Sequence, residues 1–503
     1  MVTLVVAILF TGPVFVRADA GKPLTAGVGK VDITNLDAGP VNDRLYARAL
    51  VIKSDSTTVA IVSVDAVAIG EIGYIKNDFL PKVRGQIQKE LSIPPTNVLI
   101  NASHCHGIVC ADVDARTVQA VKLATQNLVP VRIGAGAGQE DRISENRRLK
   151  LKSGRIVDVR HAYSMPADDQ VAEIGPIDPQ IGILRLDRAD DKGPTPRTLA
   201  VVYNFACHPI QGAANGGNTA DVTGFSSSVI EENTSDGTVA LFLQGCGGDI
   251  NPVLYKDVDH PRNAEPLGNM LGLSTLRALR TIESKSDANL RLINQTLTLP
   301  RADAAERIAK LEAEQMRLVQ SLKGTTLNLK TFMALTAKYN LASDFPSYYS
   351  HRYLLEQKQG RDEWNKLDRD NRQNMKNYID NIQTMEQLTR TQANLALLRK
   401  HQADNVAAGK RTLDVELVAL RVGEFRLITF PGELTVQIGL NIKKKFAQPN
   451  TFVAGYTNGY IYYAPTTEQL LNEGSAQEDC DSILAPEWQP IFESKAIELL
   501  KAL

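Results

Sequence analysis

The chain has 503 residues, 43% of them hydrophobic and 22% charged, which is typical of a globular protein with enough chain for two to three domain-sized units. Its 56 basic and 57 acidic side chains leave a formal net charge of −1. This balance excludes charge-driven binding to nucleic acid or to an anionic membrane surface. No stretch after residue 20 is apolar over the length that spans a bilayer, so no transmembrane segment is expected.

The N-terminal segment has the pattern of a secretory signal. Residues 2–16 are almost entirely apolar, and Ala18-Asp-Ala20 fits a small-x-small cleavage site. We therefore predict a signal peptide over residues 1–20 and a secreted or periplasmic mature chain beginning at Gly21. Because no Lys or Arg precedes the apolar run, a short buried helix is the alternative.

Residues 21–298 alternate short β-rich runs with helical patterns, which is typical of an α/β or α+β fold with a mixed β-sheet and flanking helices. Helices are predicted over Gly73–Leu91 and Val113–Asn127. The predicted strands are Leu45–Lys53, Val59–Val64, Asn97–Asn101, Ile181–Leu186, Leu199–Phe205 and Val239–Leu243.

Two of only seven histidines stand one residue apart, in Asn101-Ala-Ser-His-Cys-His-Gly107. Because residues i and i+2 of a strand point to one face, a strand that continued this far would aim His104 and His106 into one pocket. Imidazole is the commonest protein ligand for zinc. The alternative is a pair of hydrogen-bonded loop histidines.

Three further segments place polar side chains after apolar strands, where loops commonly build a cleft. Taken alone, each segment also has a structural explanation: His208 as a structural histidine, Glu433 as a surface acid, and the glycine-rich turn as a common tight turn. Asn458-Gly-Tyr-Ile-Tyr-Tyr463 is an aromatic cluster, which by default is hydrophobic packing. The three segments are 201–209, which ends near His208; the glycine-rich turn 245–252, which carries Asp249 and Asn251; and 430–434, whose turn is expected to project Glu433 outwards.

The five cysteines are too few for a disulfide scaffold, and their odd number leaves at least one unpaired. We expect most of them to be small buried apolar side chains. Cys105 is expected to point away from the two histidines beside it. One disulfide between Cys105 and Cys110 is an option in an oxidising compartment.

Residues 301–403 are rich in Ala, Leu, Gln, Lys and Glu and contain almost no Gly or Pro. Together with the stretch Trp364–Lys400 they predict a helical hairpin or small bundle inserted into the fold. The expected boundaries are 299–410 for the insertion and 21–298 plus 411–503 for a catalytic domain. Beyond the insertion the pattern predicts strands at Thr412–Arg421 and Phe425–Pro431 and a helix near Ile491–Lys501.

Taken in order, these segments resemble the zinc-dependent neutral ceramidase family, amidases that cleave the N-acyl bond of ceramide. The resemblance covers most of residues 25–298 and 411–465. It rests on Gly27-Val-Gly-Lys-Val-Asp-Ile-Thr34, Leu45-Tyr-Ala-Arg-Ala49, the His-x-His segment, Asn146-Arg147, the strand ending near His208, Asp221 with Thr223-Gly224, the turn at 245–252, Pro-Gly-Glu433 and the Asn-x-Tyr segment at 458–460.

The resemblance implies one Zn²⁺ per chain and a ligand set of two imidazoles, a carboxylate and a phenol. It also implies a catalytic set that holds and polarises the substrate carbonyl. The matching zinc ligands are His104, His208, Glu433 and Tyr460, with Tyr463 as the alternative tyrosine. His106 and Arg147 match the residues that hold and polarise the carbonyl, and Asp249 and Asn251 complete the candidate catalytic set.

The sequence departs from the family at Asn251, where the family places a serine close to the metal. An amide is no nucleophile, although it can donate a hydrogen bond to an oxyanion. We therefore predict a secreted amidohydrolase that cleaves a small-molecule or lipid N-acyl bond, other than that of ceramide, by attack of zinc-bound water. A zinc esterase, lactonase or deacetylase is the alternative, and a non-catalytic lipid- or glycan-binding homologue is the third possibility.

The family also carries a C-terminal immunoglobulin-like domain. This sequence stops soon after the tyrosine segment, so we expect the chain to lack that domain. The oligomeric state is left open by the sequence.

Overall fold

The computed structural model describes residues 24–503, apart from 160–165, 190–195, 215, 254, 256–258, 288 and 473–475. The predicted signal peptide lies outside these residues. Bilayer-spanning helices are absent from the described part of the chain, where each helix is too short or too polar.

Of the 19 strands in the described residues, 12 form two central sheets and the other seven are short. In chain order the strands are β1 (Thr25–Asp32), β2 (Tyr46–Lys53), β3 (Thr58–Val64), β4 (Val98–Ala102), β5 (Val129–Gln139), β6 (Ser144–Asn146), β7 (Arg148–Leu151), β8 (Ile156–Asp158), β9 (Val171–Ile174), β10 (Gln180–Arg188), β11 (Thr198–Phe205), β12 (Val239–Gln244), β13 (Ile250–Pro252), β14 (Leu290–Pro300), β15 (Thr412–Val422), β16 (Phe425–Thr429), β17 (Glu433–Leu434), β18 (Thr451–Ala454) and β19 (Tyr463–Ala464).

The helices fall into two groups, those that flank the sheets and those of the insertion. In chain order they are α1 (Phe79–Leu91), α2 (Val113–Gln126), α3 (Asp221–Glu232), α4 (Glu265–Leu279), α5 (Ala305–Ser321), α6 (Leu329–Leu341), α7 (Ser350–Lys358), α8 (Glu363–Ala407), α9 (Val436–Phe446), α10 (Thr467–Leu470) and α11 (Trp488–Ala502).

Two mixed sheets form the centre of the fold. The larger sheet has the strand order β12-β11-β10-β5-β1-β2-β3-β4, and the smaller one has the order β14-β15-β16-β18. In the larger sheet only the outermost pairs β3–β4 and β11–β12 are parallel. In the smaller sheet β16 and β18 run parallel. The predicted α/β class with a mixed sheet and flanking helices is confirmed.

The sheets pack face to face, with helices on both outer sides. Along β11, Tyr203 and Phe205 pack with α3 and α4, whereas Ala200 and Val202 pack against the smaller sheet. Both faces of β11 are therefore buried, which explains its continuous apolar sequence. Helix α11 covers the far side of the smaller sheet with residues such as Phe492. The result is four layers in the order helix, sheet, sheet, helix.

Most predicted elements match the structure within two residues. Helix α11 begins at Trp488, three residues before the predicted start at Ile491. Helix α1 begins at Phe79 rather than Gly73, because Gly73 has a φ of +75°, which is incompatible with a right-handed helix. Strand β16 ends at Thr429 rather than Pro431, because a proline nitrogen has no hydrogen to donate to a sheet ladder.

The predicted helical insertion is a bundle of four helices, α5 to α8, between strands β14 and β15. These two strands pair from Leu290 opposite Val422 to Pro300 opposite Thr412. The bundle therefore enters and leaves the fold at one end of a hairpin. Its longest helix, α8, has 45 residues. The division of the chain into a catalytic domain and an insertion at 299–410 stays a prediction.

All five cysteines lie within the described residues, and each is a free thiol. The optional disulfide between Cys105 and Cys110 is therefore not formed. The other expectation is confirmed, because every cysteine except Cys110 is buried. Cys105 belongs to the hydrophobic core, and burial raises the pKa of its thiol, so it is a packing residue.

Candidate metal centre

Three of the predicted zinc ligands meet at one buried point. The Nε2 atoms of His208 and His104 lie 3.1 and 3.5 Å from the same oxygen of Glu433, Oε2. One ligand atom from each of the three residues lies within 4.8 Å of the other two. All three side chains are almost completely buried. This is the arrangement of ligands that surrounds a divalent transition-metal ion.

His104 reaches the cluster by a turn rather than by strand alternation. Strand β4 ends at Ala102, and His104 has a left-handed backbone with a φ of +69°. The strand therefore does not continue through the His-x-His segment, so strand alternation does not place His104 and His106. The ring of His106 nevertheless lies edge-on to that of His104, with 5.5 Å between ring centroids. His106 is exposed, so it lies at the mouth of the cluster.

His208 and Glu433 are also placed by chain segments just beyond the central strands. His208 follows β11, and its backbone N–H donates to the carbonyl oxygen of Ile250 over 3.0 Å. Glu433 lies in β17, which pairs in parallel with β19 so that Glu433 stands opposite Tyr463. The turn at 430–434 was expected to project Glu433 outwards. It points inwards instead, and Glu433 is only 1% exposed.

Backbone carbonyls orient both histidines. Nδ1 of His104 lies 2.6 Å from the carbonyl oxygen of Val67, and Nδ1 of His208 lies 2.5 Å from that of Gly247. A carbonyl oxygen only accepts, so each Nδ1 carries the proton and each Nε2 presents a lone pair. Burial lowers the pKa of His104 to about 4. At neutral pH its imidazole is uncharged, as metal ligation requires.

Glu433 completes the donor set as a carboxylate. Burial by itself raises the pKa of Glu433, yet that pKa lies well below its usual range, and the hydrogen bond that the Tyr460 hydroxyl donates contributes to this lowering. Two neutral imidazoles and one carboxylate leave a net negative charge in a buried space. A bound divalent cation would compensate that charge, so the donor set fits zinc.

The two tyrosines considered as fourth ligands have different positions. The Tyr460 hydroxyl donates to Oε1 of Glu433 over 2.5 Å, away from the oxygen that faces the histidines. The Tyr463 hydroxyl lies 3.4 Å from Nε2 of His208, beside the ligand atoms. Sequence reasoning missed Tyr456, whose hydroxyl donates to Oε2 of Glu433 over 3.1 Å. Its only sequence signal is its position two residues before Asn458 in the aromatic cluster.

Arg147 lies behind the cluster and is completely buried. Its Nε is 2.6 Å from a carboxylate oxygen of Glu478. Its two Nη atoms donate to Oδ1 of Asn251 over 3.0 Å and to the carbonyl oxygen of Gly248 over 2.5 Å, and Nη2 also lies 3.3 Å from the Tyr463 hydroxyl. Arg147 therefore holds Asn251 and Tyr463 in place. Sequence reasoning missed Glu478, which no local pattern distinguishes from other acids.

Asp249 is buried, but its contacts lie outside the cluster. Its Oδ1 accepts from the backbone N–H of Val436 over 2.8 Å, at the start of α9. Its Oδ2 lies 3.4 Å from the side-chain amides of Asn146 and Gln469. These contacts tie the glycine-rich turn to a helix N-terminus, where a carboxylate is stabilised. A catalytic role for Asp249 stays a prediction.

A cleft of about 1410 Å³ lies away from this cluster. It separates the small sheet of β7, β8 and β9 from helices α5 and α8. His104, His208 and Glu433 do not line it. The candidate metal centre is therefore distinguished by the chemistry of its side chains rather than by the size of a cavity.

Two solved structures have the same architecture. Neutral ceramidase from Pseudomonas aeruginosa aligns with a TM-score of 0.58 and 17% sequence identity, over 95% of this chain and 74% of that one. A ceramidase complexed with C2 aligns with a TM-score of 0.60 and 18% identity, over 95% and 75% of the two chains. The chain has the fold of neutral ceramidase. No protein-family profile and no curated protein sequence matches it, so the predicted resemblance is confirmed at the level of the fold.

Proposed function

We propose that this protein is a zinc-dependent amidohydrolase that cleaves the N-acyl bond of a small-molecule or lipid substrate. One observation carries the proposal: a buried cluster of two correctly oriented imidazoles and a carboxylate lies inside a neutral ceramidase fold. The neighbouring structures are named as ceramidases, enzymes of amide hydrolysis. This supports an N-acyl substrate for the present chain as well.

In this proposal His104 and His208 hold zinc through Nε2 and Glu433 holds it through Oε2. The Tyr463 hydroxyl is the fourth donor, because it lies beside Nε2 of His208, whereas Tyr460 supports the Glu433 carboxylate. When bound, zinc supplies a Lewis acid and makes water a competent nucleophile at neutral pH.

The surrounding residues bind and polarise the substrate. His106 is the exposed histidine at the mouth of the cluster, and it donates a hydrogen bond to the carbonyl oxygen of the scissile amide. Arg147 accommodates Oδ1 of Asn251, which leaves the Asn251 amide N–H as a donor to the oxyanion. Water adds to the carbonyl carbon, the C–N bond breaks, and a carboxylate and an amine are released. Each such donor contributes roughly 3–4 kcal/mol to stabilising the transition state.

A zinc esterase, lactonase or deacetylase on the same scaffold is the second candidate. The observation that favours it is Asn251 at the position of the family's serine, because an amide side chain supplies no nucleophilic hydroxyl. An ester is a better electrophile than an amide and needs less activation. A panel of matched N-acyl and O-acyl substrates separates the two candidates by their kcat/KM values.

The proposal is tested by measuring bound zinc and hydrolysis of N-acyl substrates with and without a chelator. We expect one zinc per chain, and we expect most zinc to be lost in His104→Ala and His208→Ala. His351→Ala, at an exposed histidine of α7, is the matched control and should keep its zinc. Full stoichiometry in both ligand variants, or equal activity of zinc-free protein, would refute the proposal.

A further inference from the structure

The last turns of α8 contact the aromatic segment that contains the metal-centre tyrosines, residues 456–463. Nζ of Lys400 donates to the Tyr462 hydroxyl over 3.1 Å, and the His401 ring packs edge-on against the Tyr462 ring at 4.5 Å. Nε2 of His401 lies 2.7 Å from Oδ1 of Asp481. The helical insertion therefore contacts the segment through two consecutive residues, and His401 is buried.

Tyr462 joins this helix end to both sides of the metal centre. Its carbonyl oxygen accepts from the backbone N–H of Glu433 over 3.0 Å. Its hydroxyl donates to a carboxylate oxygen of Glu71 over 3.2 Å. Glu71 lies just beyond Val67, the residue whose carbonyl orients His104. One tyrosine thus links the insertion to the carboxylate ligand and to the loop behind a histidine ligand.

Asp481 provides a second link to the same strand. Its carbonyl oxygen accepts from the backbone N–H of Tyr463 over 3.0 Å, and Tyr463 is the residue that stands opposite Glu433 in the β17–β19 pair. Its carboxylate is the group that His401 contacts. A single side chain of α8 therefore acts on the backbone of β19 through Asp481.

The aromatic segment has a strained backbone that needs such support. Tyr456, Asn458 and Tyr462 have φ values of +51°, +59° and +62°. A left-handed conformation costs roughly 1–2 kcal/mol for an ordinary L-residue. It persists only where the surrounding structure holds it, and such strain is concentrated at functional sites. The contacts from Lys400 and His401 are part of the structure that holds this segment.

We propose that the end of α8 is a positioning device for the metal centre. His401 and Lys400 are positioning residues that act through Asp481 and Tyr462 on the placement of Glu433 and Tyr463. The inference rests on the proposed function, because it assigns the insertion a role in forming that zinc site. It also gives the insertion a role that does not require contact with substrate.

The test uses the full-length protein and four variants. His401→Leu removes the contact to Asp481, whereas His401→Gln keeps a side-chain N–H donor. Tyr462→Phe removes the hydroxyl bonded to Lys400 and Glu71. The matched control is Tyr353→Phe, which removes another buried hydroxyl, one that donates to Asp368 near the other end of α8 over 2.8 Å. Two quantities are measured: amide hydrogen exchange of residues 456–464 in zinc-free protein, and zinc affinity by competition with a chelator.

We expect faster exchange in residues 456–464 and a roughly tenfold loss of zinc affinity in His401→Leu and Tyr462→Phe, as found for supporting residues around metal ligands. His401→Gln should recover part of both, and Tyr353→Phe should match the wild type in both. Wild-type exchange and zinc affinity in His401→Leu and Tyr462→Phe would overturn the inference, as would equal changes in Tyr353→Phe. A wild-type protein that binds no zinc would instead refute the proposed function, while the exchange data would still decide whether α8 holds this segment.

Discussion

Replacing Gly248 by alanine should disturb the candidate metal centre without touching a side chain of the proposed ligands. An alanine Cβ at this position would lie 2.7 Å from the carbonyl oxygen of Glu433 and 2.9 Å from that of Leu434. Both are backbone atoms, which cannot rotate away as a flexible side chain does. Ordinary contact begins at 3.4 Å, so the closer carbonyl must withdraw by about 0.7 Å.

The size of this displacement sets the expected effect. Overpacking of a buried position costs roughly 1–3 kcal/mol of unfolding free energy. A ligand set needs to stay within roughly 0.5 Å of its productive geometry, so a shift of the backbone at Glu433 should also weaken zinc binding. The carbonyl oxygen of Gly248 accepts from Arg147 as well, so the same substitution displaces the group that holds Asn251.

The assay is urea unfolding followed by circular dichroism, together with competition for zinc by a chelator. The control is Gly85→Ala in α1, where an added Cβ has no neighbour within 4 Å. Replacing a glycine by alanine in a helix interior should stabilise the protein by roughly 0.5–1 kcal/mol. If Gly248→Ala matched the wild type in both unfolding free energy and zinc affinity, the reasoning about this close approach would be wrong.

Three further predictions concern other buried groups. Glu478→Gln removes the negative charge that lies 2.6 Å from Arg147 and compensates it. Urea unfolding should therefore show a free energy of unfolding lower by about 3–5 kcal/mol, and an unchanged urea midpoint would contradict this. In competition titrations Tyr463→Phe should lose more zinc affinity than Tyr460→Phe, and the opposite order would make Tyr460 the ligand. Burial raises the pKa of Asp221 to about 6 in the folded state, whereas an Asp in the unfolded chain has a pKa of about 4. Between these two pH values the folded state keeps a proton that the unfolded state releases, so the free energy of unfolding falls as pH rises from about 4 to about 6. Asp221→Asn should reduce that fall in unfolding midpoint, and an equal fall in wild type and variant would exclude this cause.

Local sequence pattern determined most of the secondary structure. The largely apolar run of β11 was sufficient to predict a strand, because a strand buried on both faces has apolar residues in succession. The pattern of α2 was sufficient to predict a helix, because burial of one helical face places apolar residues three and four positions apart. His104, His208 and Glu433 were also found from the sequence, through the order of their segments in the resemblance to neutral ceramidases. The composition of residues 301–403 likewise predicted helices, although it left open whether they form a hairpin or a bundle.

Only the tertiary structure decided how the site is assembled. Tyr460 and Tyr463 are equivalent in local pattern, and the pairing of β17 with β19 places Tyr463 opposite Glu433. The partnership of Arg147 with Glu478, the inward direction of Glu433 and the contact of α8 with Tyr462 join residues that are far apart in the chain. Hydrophobic periodicity reports which face of an element is buried, but it carries no information about which distant side chain lies against that face, because sheet register and packing set that choice.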